Sequence, residues 1–195
     1  MKQTMLFFLL LLTGFSALAA DVYDLTGNEA KQALARNEAT IKAKPNDFEA
    51  LKAAGIILHQ MSRTVINKEL LETAENYLKQ AHNLQPNDPE TTAWLGSVIT
   101  MKARLETNPG QQLFLVKSGT RMLDKAIQQA PDNTVVRLTR AYNSLELPAF
   151  LKRTNFAVED FNYYLQQCTS KNCPEHHLAD ARAGLAKAEK IIAGN

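Results

Sequence analysis

Two cysteines and two histidines crowd into the stretch "CTSKNCPEHH", at Cys168, Cys173, His176 and His177. Such a set can ligate a metal ion, or the two thiols can close on each other as a disulfide. Adjacent histidines on a helix diverge by about 100°, which makes joint tetrahedral ligation awkward. The disulfide is the favoured reading wherever the chain meets an oxidising compartment. Other residues that could do chemistry are sparse. His59 and His82 have no serine or cysteine set beside them by a catalytic motif, and no glycine-rich phosphate loop occurs. Glu175 next to His176 reads as a first-turn acid on a helix dipole. From these residues we expect no catalytic centre, no metal site and no cofactor.

The compartment is suggested by the opening "MKQTMLFFLLLLTGFSALAA", which joins a basic start at Lys2, an apolar run from Met5 to Leu12 and small residues at Ala17 and Ala19. This is the pattern of a secretory signal peptide over residues 1–19, cut after Ala19. Its apolar run is far shorter than the roughly 20 residues needed to span a bilayer. No cysteine sits near the cleavage point, which disfavours a lipid anchor. Residues 20–195 then form a single domain large enough for its own core, periplasmic or secreted, without stable membrane insertion. A formal net charge of +2 on dispersed Lys and Arg gives no reason to expect nucleic acid.

The elements that would position any functional residue are announced by prolines. "KPNDFEA", "LQPNDPETTAWLGS" and "APDNTVV" repeat one theme around Pro45, Pro86 and Pro131. Ten residues after each proline stand Gly55, Gly96 and Ala141, and twelve before stand Ala33, Ala74 and Gly119. Small residues at fixed offsets are what close-packed helices need where they cross. Between them apolar positions recur at helical spacing, as in Leu71, Ala74, Leu78 and Ala81. In "QPNDPE", Pro86 ends one helix, Asp88 caps the next and Pro89 takes its first position, where a missing N–H costs nothing.

The expected elements are a helix over 28–43, opened by Thr26 with Glu29 in a capping box, and then three pairs. These cover 47–61 with 67–84, 89–106 with 110–130, and 133–146 with 155–167. A last helix over 174–192 closes the chain.

The segments "AENYLKQAHNLQP", "TTAWLGSVI" and "TRMLDKAIQQAP" resemble the tetratricopeptide repeat, with its Leu-Gly step, spaced alanines and exit proline, over residues of about 28 to 167. The resemblance implies an all-α fold, an antiparallel helix-hairpin array or α-solenoid of about three hairpins with terminal capping helices. The hairpins are longer than the family's: Gly55 to Ala74 and Gly96 to Gly119 exceed the usual separation of the two key small positions.

In that family the first helices of each pair line a concave, partner-binding face. Carried over, this face would hold Lys52, Ile56 and His59, then Ala93, Ser97, Thr100 and Met101, then Leu138, Tyr142 and Leu145. The subclass that grips a C-terminal carboxylate with Lys and Asn is matched at Lys52 alone, since Ile56, Trp94, Val135 and Thr139 fill the other clamp positions. The implied groove mixes apolar and hydroxyl side chains and suits an extended or helical peptide.

Among the aromatics, Phe161, Tyr163 and Tyr164 are expected in the core, whereas Trp94 and Tyr142 could line either core or groove. In "ELPAFLKRTNF", Pro148, Phe150, Lys152 and Arg153 occupy a turn from which Phe150 is expected to tuck back, the alternative being that this turn is a second binding surface. The leading functional expectation is a non-enzymatic periplasmic adaptor or scaffold for a protein or peptide partner. The alternative is a small-molecule or lipid carrier using a cavity between the helices.

Overall fold

A computed structural model describes Tyr23 and residues 25–64, 66–169 and 173–194. The expected signal segment, residues 1–19, and its expected cleavage point lie outside the described residues. Among the described residues eight α-helices follow one another: α1 Gly27–Ala43, α2 Phe48–Thr64, α3 Lys68–Leu84, α4 Pro89–Lys102, α5 Pro109–Gln129, α6 Thr134–Glu146, α7 Thr154–Gln167 and α8 Glu175–Ala193. Short 3-10 turns cover Ala103–Leu105 and Ala149–Leu151, and no strand occurs among the described residues. None of the described helices is long and apolar enough to cross a membrane.

The proline-containing connectors share one hydrogen-bond plan. Each preceding helix ends as the N–H of Lys44, Gln85 or Ala130 donates to the carbonyl of Thr40, Ala81 or Ala126, at 2.7, 2.9 and 3.0 Å. The proline comes next, and a tight turn then brings the N–H of Asp47, Asp88 or Asn133 back to that same Lys44, Gln85 or Ala130 carbonyl. The turn residue's side chain caps the next helix, accepting from Ala50, Thr91 or Val136. Asn67 and Asn108 cap α3 and α5 in the same way. One capping expectation fails: Thr26 is the N-cap of α1, but its side chain makes no capping bond. The orphan N–H of Glu29 is taken by the Thr26 carbonyl instead, at 3.1 Å, alongside the regular bond from Ala30.

Packing is closest between neighbours in the chain, with α2 on α3, α4 on α5, α6 on α7 and α7 on α8, while α4 also touches α2, α3 and α6. The small residues lie where the sequence suggested. A Cβ on Gly96 would come within 2.7 Å of the Gly119 carbonyl, and one on Gly119 within 2.4 Å of the Gly96 carbonyl. Thus α4 and α5 meet backbone to backbone. Gly55 lies under Leu78, and Gly184 on α8 under the ring of Phe161, with a hypothetical Cβ at 2.5 Å in both cases. Helix α4 is buried almost all round, from Thr91 to Val98. It tolerates this because its hydroxyls close locally: Thr92 donates to the carbonyl of Asp88 and Thr100 to that of Gly96, each at 2.9 Å.

Two further ties hold the C-terminal half. Asp160 of α7, fully buried, accepts from Arg137 at 2.8 Å and from Arg140 Nε at 2.6 Å, both on α6. Arg153 reaches Asp124 of α5 through two bonds of 2.8 and 2.7 Å and stacks on Phe156. Cys168 and Cys173 are bonded as a disulfide, with Cα atoms 5.5 Å apart, joining the end of α7 to the residue before Pro174 and α8. With both sulfurs engaged in that bond, neither offers the thiolate that the metal reading of this segment needs.

Candidate functional site

The expected groove residues do not share one surface. Lys52 and Ile56 do share one cleft with Glu90, and His59 and Ser97 meet beside Trp94. Thr100 instead sits on the α4–α5 seam, its hydroxyl against Gly119. Ala93 packs with Leu123, Ala126, Ile127 and Val136. Leu138, Tyr142 and Leu145 join the α7–α8 cluster around Phe161, and Met101 packs onto the cluster of α2, α3 and α4. Ile56, His59, Ser97, Thr100 and Leu145 are all buried. The reason is rotational: α4 is enclosed by four helices, so the register that marks an outer face on a less enclosed helix points inward here.

Tyr142 illustrates the correction. Its ring meets Phe161 edge-on at 5.1 Å and lies under the Arg63 guanidinium at 5.2 Å. Burial, and Asp180 nearby, push its phenol up to about 12. A half-buried ring built into the core in this way makes truncation to Ala a stability change first, not a clean test of binding. Phe150 departs in the opposite sense, since it does not tuck back and is 78% exposed.

What the fold does assemble is a polar and aromatic site on α2, α4 and the start of α6. Glu90, in the first turn of α4, is its hub. Its Oε2 accepts from the Tyr23 hydroxyl at 2.6 Å and stands 2.9 Å from Lys52 Nζ, while its Oε1 accepts from the Asn133 side chain at 3.0 Å. Burial works against charge on Glu90, but the bonds from Asn133, Tyr23 and Lys52 outweigh it and hold the carboxyl below its usual range. Lys52 is the mirror case: burial opposes its charge, yet Glu90 and Asp88 raise its pKa. The pair stays ionised.

One turn on from Glu90, Trp94 stacks flat on Tyr23, with centroids 5.8 Å apart and planes 8° from parallel. His59 meets the indole edge-on at 4.9 Å. Its Nε2 is 2.8 Å from Ser97 Oγ, which also accepts from Asn143 of α6 at 3.4 Å. Burial, and then the Arg63 charge, lower the His59 pKa to about 3, so the ring is neutral. A Ser–His contact of this length is the beginning of a nucleophile and base pair. Here, however, both residues are buried, and among the described residues His59 Nδ1 has no hydrogen-bond partner to orient the ring. Trp94 Nε1 is likewise buried without one among the described residues.

Sequence reasoning singled out Lys52, Ile56, His59 and Ser97 for the face and left Trp94 open. It missed Tyr23, Gln60, Glu90 and Asn133. "NDPE" does place an acid in the first turn of α4, but nothing in the periodicity says that Tyr23, 67 residues away from Glu90, will reach it. Comparison with known proteins finds no match: no family model fits the chain, and none of the curated proteins or solved structures is significantly similar to it.

Proposed function

We propose that the protein is a non-enzymatic adaptor of the bacterial envelope that binds a peptide segment of a protein partner on the α2–α4 face. On this reading the eight helices form three tetratricopeptide-like hairpins, α2 with α3, α4 with α5 and α6 with α7, with α1 and α8 as caps. The observation that carries the reading is the meeting of Lys52, Gln60, Glu90 and Trp94 from two successive first helices. They offer a charge pair, an amide and, beneath the Tyr23 ring, an aromatic platform, which is what an extended chain needs from a receptor. The repeated connector plan supports the array. A disulfide at Cys168 and Cys173 fits an oxidising compartment and hence export.

The carrier reading receives less support. The clefts bounded by Lys68 and Lys102, and by Lys52 and Glu90, have volumes of about 240 and 230 Å³. Small-molecule sites are usually larger, about 300 to 1,000 Å³, and mostly apolar.

Site-specific photocrosslinking in the envelope tests the adaptor. A photoreactive side chain at Ala53, on the cleft, should capture a discrete protein partner that the same group at Lys79 on α3 does not. Equal capture at both positions, or none at Ala53, would remove the α2–α4 face as the binding surface.

A further inference from the structure

Tyr23 occupies the site just described. Its hydroxyl donates to Glu90, its ring lies on Trp94, and its carbonyl accepts from Gln60 Nε2 at 3.3 Å. Only a short link, which includes Leu25 and Thr26, separates it from Gly27, where α1 begins with a φ of +54°. The site thus already holds a tyrosine from outside the helices, gripped through ring, hydroxyl and main chain. We infer that Tyr23 is an exchangeable resident ligand, and that the α2–α4 face recognises a peptide presenting an unmodified tyrosine, which binds by displacing it. This rests on the adaptor reading and narrows it to a class of partner.

Three features give the site its selectivity. Glu90 Oε2 provides an acceptor for a phenol hydroxyl at 2.6 Å and pairs with Lys52 Nζ at 2.9 Å. A phenylalanine would keep the stack on Trp94 and leave that half-buried acceptor one donor short. A phosphotyrosine would bring about two negative charges against Glu90. Meanwhile Trp94 Nε1 and His59 Nδ1, both buried, have no hydrogen-bond partner among the described residues while Tyr23 is in place. The resident segment satisfies the site only in part, so a partner with a better-placed acceptor can outcompete it. The tether sets the threshold, because a short link gives the resident an effective concentration on the millimolar scale.

The test uses the full chain and a fluorescent peptide of the sequence ADVYDLT, residues 20–26, measured by anisotropy. The Tyr23→Ala variant should bind this peptide about tenfold or more tightly than the wild type, because the tethered competitor is gone. Peptides carrying Phe or phosphotyrosine in place of Tyr should bind the same variant several-fold more weakly and not detectably, respectively. These peptide changes need no further alteration of the protein, and a thermal melt of Tyr23→Ala confirms that it is folded. Equal affinity of wild type and variant, or undiminished binding of the phosphotyrosine peptide, would overturn the inference. So would a wild-type dimer by light scattering that Tyr23→Ala abolishes, since Tyr23 would then serve a second copy of the chain. The two readings fail separately. Capture at Ala53 without peptide exchange removes the tyrosine selectivity alone, whereas peptide exchange without capture removes the protein partner alone.

Discussion

Single residues set the tolerances of this molecule, and Gly96 is among the tightest. A Cβ there would stand 2.7 Å from the Gly119 carbonyl and 2.9 Å from Met122 Cβ, neither of which is the end of a flexible chain. Gly96→Leu should therefore destabilise by roughly 1 to 3 kcal/mol through overpacking, although Leu is the better helix former. An unchanged or raised melting temperature would take Gly96 off the seam. His59 makes a prediction of another kind. Its folded-state pKa is lowered to about 3 from an ordinary 6.5, so below 6.5 the unfolded chain takes up a proton that the fold resists. Stability is then complete above pH 6.5 and falls as the pH drops, by up to about 1.4 kcal/mol per pH unit for one such group. His82, lowered by burial and by Lys125, acts in the same direction. The carboxyls of Asp88 and Glu90 are held below ordinary values of 3.8 and 4.5, so they add their loss at more acid pH. Denaturant melts between pH 6.5 and 4.5 should slope for the wild type and slope less steeply for His59→Gln, in which His82 remains. A wild type flat over that window would contradict the buried, neutral imidazole.

Between elements, the α6–α7 contact depends on a charge taken fully out of water. Asp160 is surrounded by Arg137 and Arg140, and for both arginines burial opposes the charge while Asp160 raises the pKa above its ordinary value. Removing the carboxylate leaves two buried guanidinium groups short of their main partner. Asp160→Asn should cost roughly 3 to 5 kcal/mol, more than Glu159→Gln, whose carboxylate is largely exposed. Similar losses for the two variants would show that the network is held at its surface. The α7–α8 junction behaves differently, because it combines a covalent tie with the Gly184–Phe161 contact. So short a disulfide loop contributes only about 2 kcal/mol on the chain-entropy estimate. Reduction should raise amide exchange in the first turns of α8 and leave the α4–α5 contact protected. Global unfolding on reduction would make the disulfide a condition of the whole fold.

At the scale of the molecule, α4 is the integrating element, in contact with α2, α3, α5 and α6. It also carries Glu90 and Trp94, so the candidate site stands on the most enclosed helix and inherits its rigidity. Ligand at that site should therefore stabilise the array as a whole. For the Tyr23→Ala variant, saturating ADVYDLT peptide should raise the melting temperature by the several degrees that linkage gives at about 100 Kd. A peptide that binds without raising it would have to sit on a part of the chain that is already frayed.

The order and type of the helices were legible in the sequence, because these are set locally. Pro86 and Pro89 cannot lie within one helix, Asp88 can cap only the helix after it, and alternation at three and four residues has one regular solution. Gly55, Gly96 and Gly119 were legible as seam residues for a similar reason, since a missing side chain inside a helix marks a close approach. The disulfide, too, could be read from two cysteines with no better chemistry. Which side of α4 meets water was not legible. Thr100 and Ser97 are polar and were read as groove, yet one closes on its own helix against Gly119 and the other on His59. Small hydroxyls can satisfy themselves in the interior, so their polarity does not report exposure. Tyr23 escaped altogether. Its place on Trp94 and Glu90 is a contact between a residue outside the helices and a distant helix, without period or cap to announce it. Helix boundaries are decided by neighbours in the chain, whereas the site was decided by which helices surround α4 and what they left for Tyr23 to cover.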